Sequence, residues 1–437
     1  MFDFSVEPEF QQKLDWMLTF VKAECEPLDI LFPHHGDPYD TSNVKARAII
    51  KPLQDQVKAQ ELWACHLDPG LGGKGYGQLK LALMNEIIGR SYWAPTIFGT
   101  AAPDTGNAEI LAMFGTEEQK RRYLRPLLDG EIVSTFSMTE PQAGADPKEF
   151  VCGARREGDE WVIEGEKWFS SNARFAAFLI VMAVTDPDAA PHRRMSMFVV
   201  PAENPGIHII RNVGVIGDHV DHDTGIHGFI RYDNVRLPLD SMLGGPGDGF
   251  KVAQARLGGG RVHHAMRTVG RCQRAFEMML ERAVSRRTQG RLLSEHQFVQ
   301  GFIADSAIEL TQFRLLVLHT AWLIDTQPHG AARTSIAMCK VQMARIYHDI
   351  VQRAIQLHGS YGVSNETVLA DMWMSLPSIA LADGPTEVHK VQVAKAFLKN
   401  AKPSDGVFPS EHIPVRRAAV KKRYAAVLDA AVLEAAE

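Results

Sequence analysis

"GFIRYDNVRLPLDSMLGGPGDGFKVAQARLGGGRVHHAMRTVG", residues 228–270, carries two different periods on either side of one glycine-rich turn. Before the turn, "GFIRYDNVRL" alternates apolar and polar residues, the two-residue period of a strand with one face buried. After "GGPGDG", Val262, Met266 and Val269 fall at three- and four-residue steps, and Phe276, Met279 and Ala283 continue the series. That is the stripe of an amphipathic helix. A β domain therefore ends near residue 243 and a helical domain begins at 244.

Upstream, "RMSMFVV" sets Met195, Met197 and Val199 against their neighbours, and "AFLIVMAV" is a continuous apolar run. The turn-forming stretches "TDPDAAPH", "AENPG" and "GDHVDHDTG" separate these runs, which is the pattern of a small all-β domain. Residues 1–130 read as helices interrupted by loops such as "LFPHHGDPYD" and "LDPGLGGKGYG". Downstream, one series runs through Ile303, Ala307, Leu310, Phe313, Val317, Ala321 and Ile324, and another through Ile336, Cys339, Met343, Ile346, Ile350 and Leu357. Three long amphipathic helices in succession imply a bundle. The expected fold class is α+β, mainly α. An N-terminal helical domain (1–130) precedes a central small β-barrel domain (131–243), a C-terminal four-helix bundle (244–402) and an Ala-rich tail helix (403–437).

A chain of 437 residues exceeds what one hydrophobic core serves. With 45% hydrophobic and 23% charged residues it has the composition of a soluble globular protein. A net charge of -5 and a pI near 6.4 give no pull toward nucleic acid or an anionic membrane. The five cysteines are scattered without a zinc or disulfide spacing, and read as reduced thiols. The N-terminus carries acids from residue 3 and lacks a basic region followed by an apolar one. No apolar run is expected to reach membrane-spanning length, so the expected location is cytoplasmic, without membrane insertion.

The glycine stretch "GLGGKGYG" at 70–77 follows no apolar strand and lacks the Lys-Ser/Thr ending of a phosphate cradle, so it reads as a structural loop. His219 and His222 lie three apart with His227 beyond, on a turn-rich segment without a thiol. They read as solvated loop histidines, and no metal site is expected. More pointed is "FSMTEPQAGAD", 136–146, whose small and hydroxyl residues can offer backbone N–H groups and the Thr139 hydroxyl to a planar, acceptor-rich ligand. "ADGPTEVHK", 382–390, sets the carboxylate of Asp383 against a glycine and a proline straight after the apolar "LPSIALA". Such a charge either faces water, caps the following helix, or is kept for chemistry.

"MTEPQAGAD", "GDEWVIEGEKWFSSN", "RRTQGRLLSEHQ", "QLHGSYGV" and "ADGPTEVHK" occur in an order and at a spacing that resemble the acyl-CoA dehydrogenase flavoproteins. The resemblance runs from about residue 2 to 400. "LGGGRVHHAMRTVG" and "ADGPTEVH" are most similar to a branch often fused to an aminoglycoside-phosphotransferase-like kinase domain. The resemblance implies FAD as cofactor, an acyl-CoA substrate, an electron-transfer flavoprotein as acceptor, and a homodimer or homotetramer. It implies that Met138 and Thr139 meet the flavin's pyrimidine edge and that Phe169 and Ser171 cover the isoalloxazine, with Trp168 adjacent. Arg286, Thr288 and Gln297, with Gln356, Gly359 and Ser360, match diphosphate and adenosine contacts made across a subunit boundary. A guanidinium and backbone N–H groups suit a diphosphate.

In that family a carboxylate at the place of Asp383 removes the α-proton of the thioester. Some members keep it instead just before the helix arginine, which here is Gly260, next to Arg261. Asp383 is thus the implied base, and the implied reaction is α,β-dehydrogenation to a trans-2-enoyl-CoA, in fatty acid metabolism and β-oxidation. Two family positions that often help hold CoA are Ala145 and Gly258 here. Gly384 follows the base, and Arg261, His264 and Arg267 are expected around the acyl pocket, where they either bind an oxygen or phosphate on the acyl chain or make subunit or core pairings. Elimination or isomerisation of a 4-hydroxy- or 4-phosphoacyl-CoA, an acyl-CoA oxidase, and a non-catalytic assembly protein on this scaffold are the alternatives.

Overall fold

The computed structural model describes residues 4–434 except 35, 145, 217–224 and 329. His219, His222 and Ala145 lie outside the described residues. One compact unit runs to Lys390, and Val391–Glu437 forms a second. Within the second, Ile413–Arg423 and Ala425–Glu434 are two helices where the sequence suggested one.

In the N-terminal region, Phe10, Leu14, Met17 and Phe20 bury one face of the Pro8–Phe20 helix. They share a core with Ile50, Leu53 and Val57 of the Val44–Ala59 helix and with Ile88 of Gly77–Ile88. The 70–77 glycine stretch is a loop in which Gly72, Gly75 and Gly77 take positive φ. Directly after it, the N–H groups of Gln78 and Leu79 donate to the Asp325 carboxylate at 2.7 and 2.8 Å, satisfying two donors that a helix start leaves open. The Asp104–Phe114 helix then leads to the sheet.

The central region is one seven-stranded sheet in the order β1-β4-β2-β3-β7-β6, with β5 on β4. The strands are β1 Ser134–Ser137, β2 Gly153–Glu157, β3 Glu160–Ser171, β4 Phe178–Val184, β5 Met195–Pro201, β6 Ile207–Val213 and β7 His227–Pro238. β7 alternates buried and exposed as its sequence suggested. β5 does not, because both its faces are covered and Met195–Val200 are all buried. Its residues sort by parity. Met195, Met197 and Val199 join Ile180 and Met182 against Ile110 and Leu111 of the Asp104–Phe114 helix, whereas Phe198 and Val200 join Leu179, Val181, Ile230 and Tyr232.

The long helices Gly249–Ser285, Gln297–Thr326 and Arg333–His358 share one core that includes Met266, Val269, Met279, Phe313, Val317, Met343 and Ile350. The Gly77–Ile88 helix also packs on it through Ala82. The approach is close: a Cβ on Gly89 would lie 2.0 Å from the Arg267 carbonyl, and one on Gly270 1.8 Å from that of Glu86. By length and composition alone, Gln297–Thr326 is apolar enough to cross a membrane, which corrects the expectation that no run reaches that length. Leu310, Phe313, Val317 and Ala321 bury its inner face in the bundle, as a core helix does. All five cysteines are free and buried.

Candidate active site

Asp383 ends the apolar segment that includes the short Leu376–Leu381 helix, and three cationic or imidazole side chains hold its backbone. Lys340 Nζ donates to the Ile379 carbonyl at 2.6 Å, Arg261 Nε to the Asp383 carbonyl at 2.9 Å, and His389 Nε2 lies 3.3 Å from that same carbonyl. The turn places Asp383 at φ 56° and Gly384 at φ 105°. Aspartate tolerates the left-handed region better than most side chains, and glycine adopts it freely. The Asp383 side chain is 18% exposed, and its Oδ2 lies 3.6 Å from His264 Nε2. A Cβ on Gly260 would sit 3.1 Å from that oxygen. The glycine makes room for the carboxylate.

Polar groups gather around this point. Arg256 is half-buried, donates through Nε to Asn107 Oδ1 at 2.9 Å and stands over the Phe136 ring. Its charge is felt by Asp383, Glu109 and Asp104. A Cβ on Gly259 would lie 2.9 Å from Glu109 Oε2, so two adjacent glycines of the long helix each face a carboxylate. Burial pushes the Glu109 carboxyl up to about 7. Burial and the Arg267 charge push the His264 imidazole well below its usual range, against the pull of Asp383, leaving it neutral at pH 7. Arg267 is buried and donates through Nη1 to the Thr100 carbonyl at 3.2 Å and to Asn85 Oδ1 at 3.4 Å. Of the three basic residues named from the sequence, Arg261 thus holds the acid's own backbone, His264 stands beside its carboxylate, and Arg267 is tied to neighbouring chain segments.

The loop with Met138 and Thr139 is fixed from beneath by a pair the sequence reading missed. Lys167 Nζ donates at 2.8 Å both to the Met138 carbonyl and to Glu140 Oε1, and both side chains are buried. Glu140 also accepts from the N–H groups of Val151 and Cys152. The Thr139 carbonyl accepts from the Trp168 N–H at 2.8 Å. Next to this loop, β3 slips its register against β7 between Lys167 and Ser170. Three residues of β3 there span two of β7, and such a bulge redirects a side chain. Trp168 packs on Phe229 with Arg211 over its ring, while Phe169, at φ 54°, turns outward with 41% of its surface exposed. Ser171 Oγ pairs with His227 Nδ1 at 2.9 Å. An exposed aromatic face, a half-buried threonine hydroxyl and a rigid backbone edge fit the face and the polar edge of an isoalloxazine.

Arg286, Thr288 and Gln297 lie exposed at and beyond the C-terminal end of the long helix, around a two-stranded ribbon of Arg287–Thr288 and Arg291–Leu292. Gln356, Gly359 and Ser360 are exposed as well. The Arg282 guanidinium lies 5.5 Å from the Tyr361 ring, which brings the two groups of residues to one end of the bundle.

Arg256, Glu109 and Lys340 carry no motif, and His389 lies within "ADGPTEVHK" without a role that the sequence assigns. A lone acid in the apolar run "NAEILAMF" and a lysine facing a glutamate across "TEP" and "GEKW" were the available signals. Among the described residues no group of three His, Cys, Asp or Glu could hold a metal.

Comparison with known proteins gives three matching family descriptions. They are acyl-CoA dehydrogenase N-terminal domain over residues 11–131, middle domain over 135–225, and C-terminal domain over 247–398. A Mycobacterium tuberculosis protein named as acyl-CoA dehydrogenase FadE2 is 43% identical over 82% of this chain and 87% of its own. Rat acyl-CoA dehydrogenase family member 11 is 39% identical over 80% of this chain, which spans 45% of that longer protein. A solved structure from Mycobacterium abscessus, assigned as an acyl-CoA dehydrogenase, is 38% identical with a TM-score of 0.83, covering 90% of this chain and 99% of that one. The chain belongs to the acyl-CoA dehydrogenase family of FAD-dependent oxidoreductases.

Proposed function

We propose that this chain oxidises an acyl-CoA thioester to its trans-2-enoyl-CoA, with an Asp383 carboxylate oxygen taking the α-proton. The observation that carries the reading is the held turn at Asp383: its backbone is bound by Arg261 and His389, and its carboxylate lies over Gly260. The bound flavin supplies the acceptor for the β-hydrogen and its electron pair, so that loss of the proton and of the hydride leaves the carbon–carbon double bond. A thioester α-proton is weakly acidic, and the base must be dry and aimed when it acts. The turn aims Asp383, and an acyl chain lying along Gly260 would expel the water beside it. Thr139, the Met138 backbone, Phe169 and Ser171 would hold the flavin ring. Arg286, Thr288, Gln297, Gln356, Gly359 and Ser360 would hold the diphosphate and adenosine of a flavin seated on a second copy, which makes the active form a homodimer or a pair of dimers. An electron-transfer flavoprotein is the proposed acceptor.

The test is anaerobic mixing of the yellow holoenzyme with a panel of acyl-CoAs while flavin absorbance is followed. Asp383→Asn keeps the flavin and fails to bleach; normal bleaching by this variant would remove Asp383 from the role. A second reading is supported by the cationic groups Arg256, Arg261 and Arg267 near the acid. In that reading the acyl group carries an oxygen or phosphate at C4, with Gly384, Arg261, His264 and Arg267 around it. Equal rates for straight-chain and 4-substituted acyl-CoAs, unaffected by Arg267→Ala, would end that reading.

A further inference from the structure

We propose that the acyl cleft ends in a polar chamber which binds a neutral hydroxyl group carried on the acyl chain far from the thioester. The inference rests on the acyl-CoA reading above. The chamber is a cavity of about 50 Å³ whose wall includes Tyr39, Gln54, Trp63, His66, Thr96 and Asp104. That volume holds a hydroxymethyl group or about three waters.

Two residues of the wall carry polar atoms that are closed off from solvent and meet no hydrogen-bonding partner among the described residues: both ring nitrogens of His66, and Thr96 Oγ. Leaving such atoms unpaired costs about 1–3 kcal/mol each, so a cluster of three points to a ligand that pairs them. The charge of the wall selects the ligand's class. Burial and the Arg267 charge push the His66 imidazole down to about 4, and burial pushes the Tyr39 phenol up to about 12, so both are neutral at pH 7. The two charged wall residues are opposite in sign and already engaged: Arg47 donates to the Gly130 carbonyl, and Asp104 accepts from the Ser134 N–H and hydroxyl. A net charge on the ligand therefore gains little. A neutral imidazole offers one N–H and one lone pair on diverging sides of its ring; a hydroxyl, donor and acceptor at once, can pair with either one of them, and a water in the cavity with the other.

Position relates the chamber to the acyl chain. Gly99 and Ala101 line it, and the carbonyl of Thr100 between them receives Arg267 Nη1. Arg267 follows Gly260 by seven residues on the long helix, about 10 Å along its axis. Gly260 faces the Asp383 carboxylate. On that spacing, a chain of medium length starting at the base would reach the chamber, and a short one would not.

The experiment compares kcat/KM of the purified holoenzyme for octanoyl- and decanoyl-CoA with their terminally hydroxylated counterparts, using butyryl-CoA as a chain too short to reach the chamber. The wild type favours the hydroxylated substrates at matched length. His66→Leu lowers that preference roughly tenfold, chiefly through KM, Thr96→Val lowers it less, and His66→Gln, which keeps a donor and an acceptor, retains most of it. If butyryl-CoA bleaches the flavin while hydroxylated and plain chains react alike, or if His66→Leu leaves the preference unchanged, the chamber is refuted and dehydrogenation stands. If no acyl-CoA bleaches the flavin, the dehydrogenase reading falls and the chamber's role falls with it.

Discussion

Arg261 meets Asp383 through the backbone: its Nε lies 2.9 Å from the main-chain carbonyl of the acid. The cation therefore fixes the turn without forming a direct ion pair with the carboxylate, which stays available to a proton donor. A guanidinium has the fixed fork this needs. Arg261→Gln should slow flavin reduction by tenfold or more while flavin stays bound, as stopped-flow absorbance would report. A rate within twofold of wild type would show that the turn holds without it.

The space at Gly260 is a condition for the position of the Asp383 carboxylate. Adding one methyl there puts a carbon 3.1 Å from Asp383 Oδ2, closer than ordinary contact, so the carboxylate must shift. Gly260→Ala should gain helix propensity, raise thermal stability by up to about 1 kcal/mol, and lose most of its rate of flavin reduction. A variant that is both more stable and fully active would place the carboxylate elsewhere.

Glu109 makes stability depend on pH in a direction opposite to that of a salt-bridged acid. Its folded carboxyl titrates near 7, against 4.5 for an ordinary glutamate, and desolvation is the main cause. The folded state thus holds the proton more tightly, and its advantage is lost as pH rises from about 4.5 through 7. Glu109→Gln should match wild type in stability at pH 4, and exceed it on the order of 2 kcal/mol above pH 7. Melting temperatures across pH 4–8 decide this, and a constant difference would contradict it.

The Lys167–Glu140 pair is buried, and removing one partner strands the other. Lys167→Met should cost roughly 3–5 kcal/mol and free the Met138 carbonyl, loosening the Thr139 loop. Purified protein should carry less FAD per chain, measured by the ratio of flavin to protein absorbance, and lower FAD content should persist at temperatures where the fold is intact. Full FAD occupancy would show that the loop needs no such support.

The fold was legible where one period governed a whole element. Met266, Val269 and Met279 predicted a buried helix face, and Ile230, Tyr232 and Leu237 a half-buried strand. The reading weakened where two layers met. β5 is covered on both sides, so its alternation separates two cores instead of inside from outside. Gln297–Thr326 is apolar enough by composition to cross a membrane, and only its packing in the bundle marks it as a core helix. At the site, Asp383 and Thr139 lie in motifs and could be named. Arg256, Glu109 and Lys340 could not, because their proximity to Asp383 comes from the packing of helices far apart in sequence; His389 lies in the same motif as Asp383, but its contact with the Asp383 carbonyl depends on how the turn folds back. The bulge at Phe169 decided which of two adjacent aromatics faces outward, and nothing in "KWFSS" signals the slip.

Gly258, Gly259 and Gly260 sit together inside a 37-residue helix. Each lowers helical propensity by about 1 kcal/mol relative to alanine, so this long rod is softest in its N-terminal third. Amide protons on either side should exchange sooner than those near Met266 and Met279, and a bound ligand that spans the tract should slow them. The rod would then behave as two stiff arms joined at a pliant wrist, with the Asp383 carboxylate resting on the wrist.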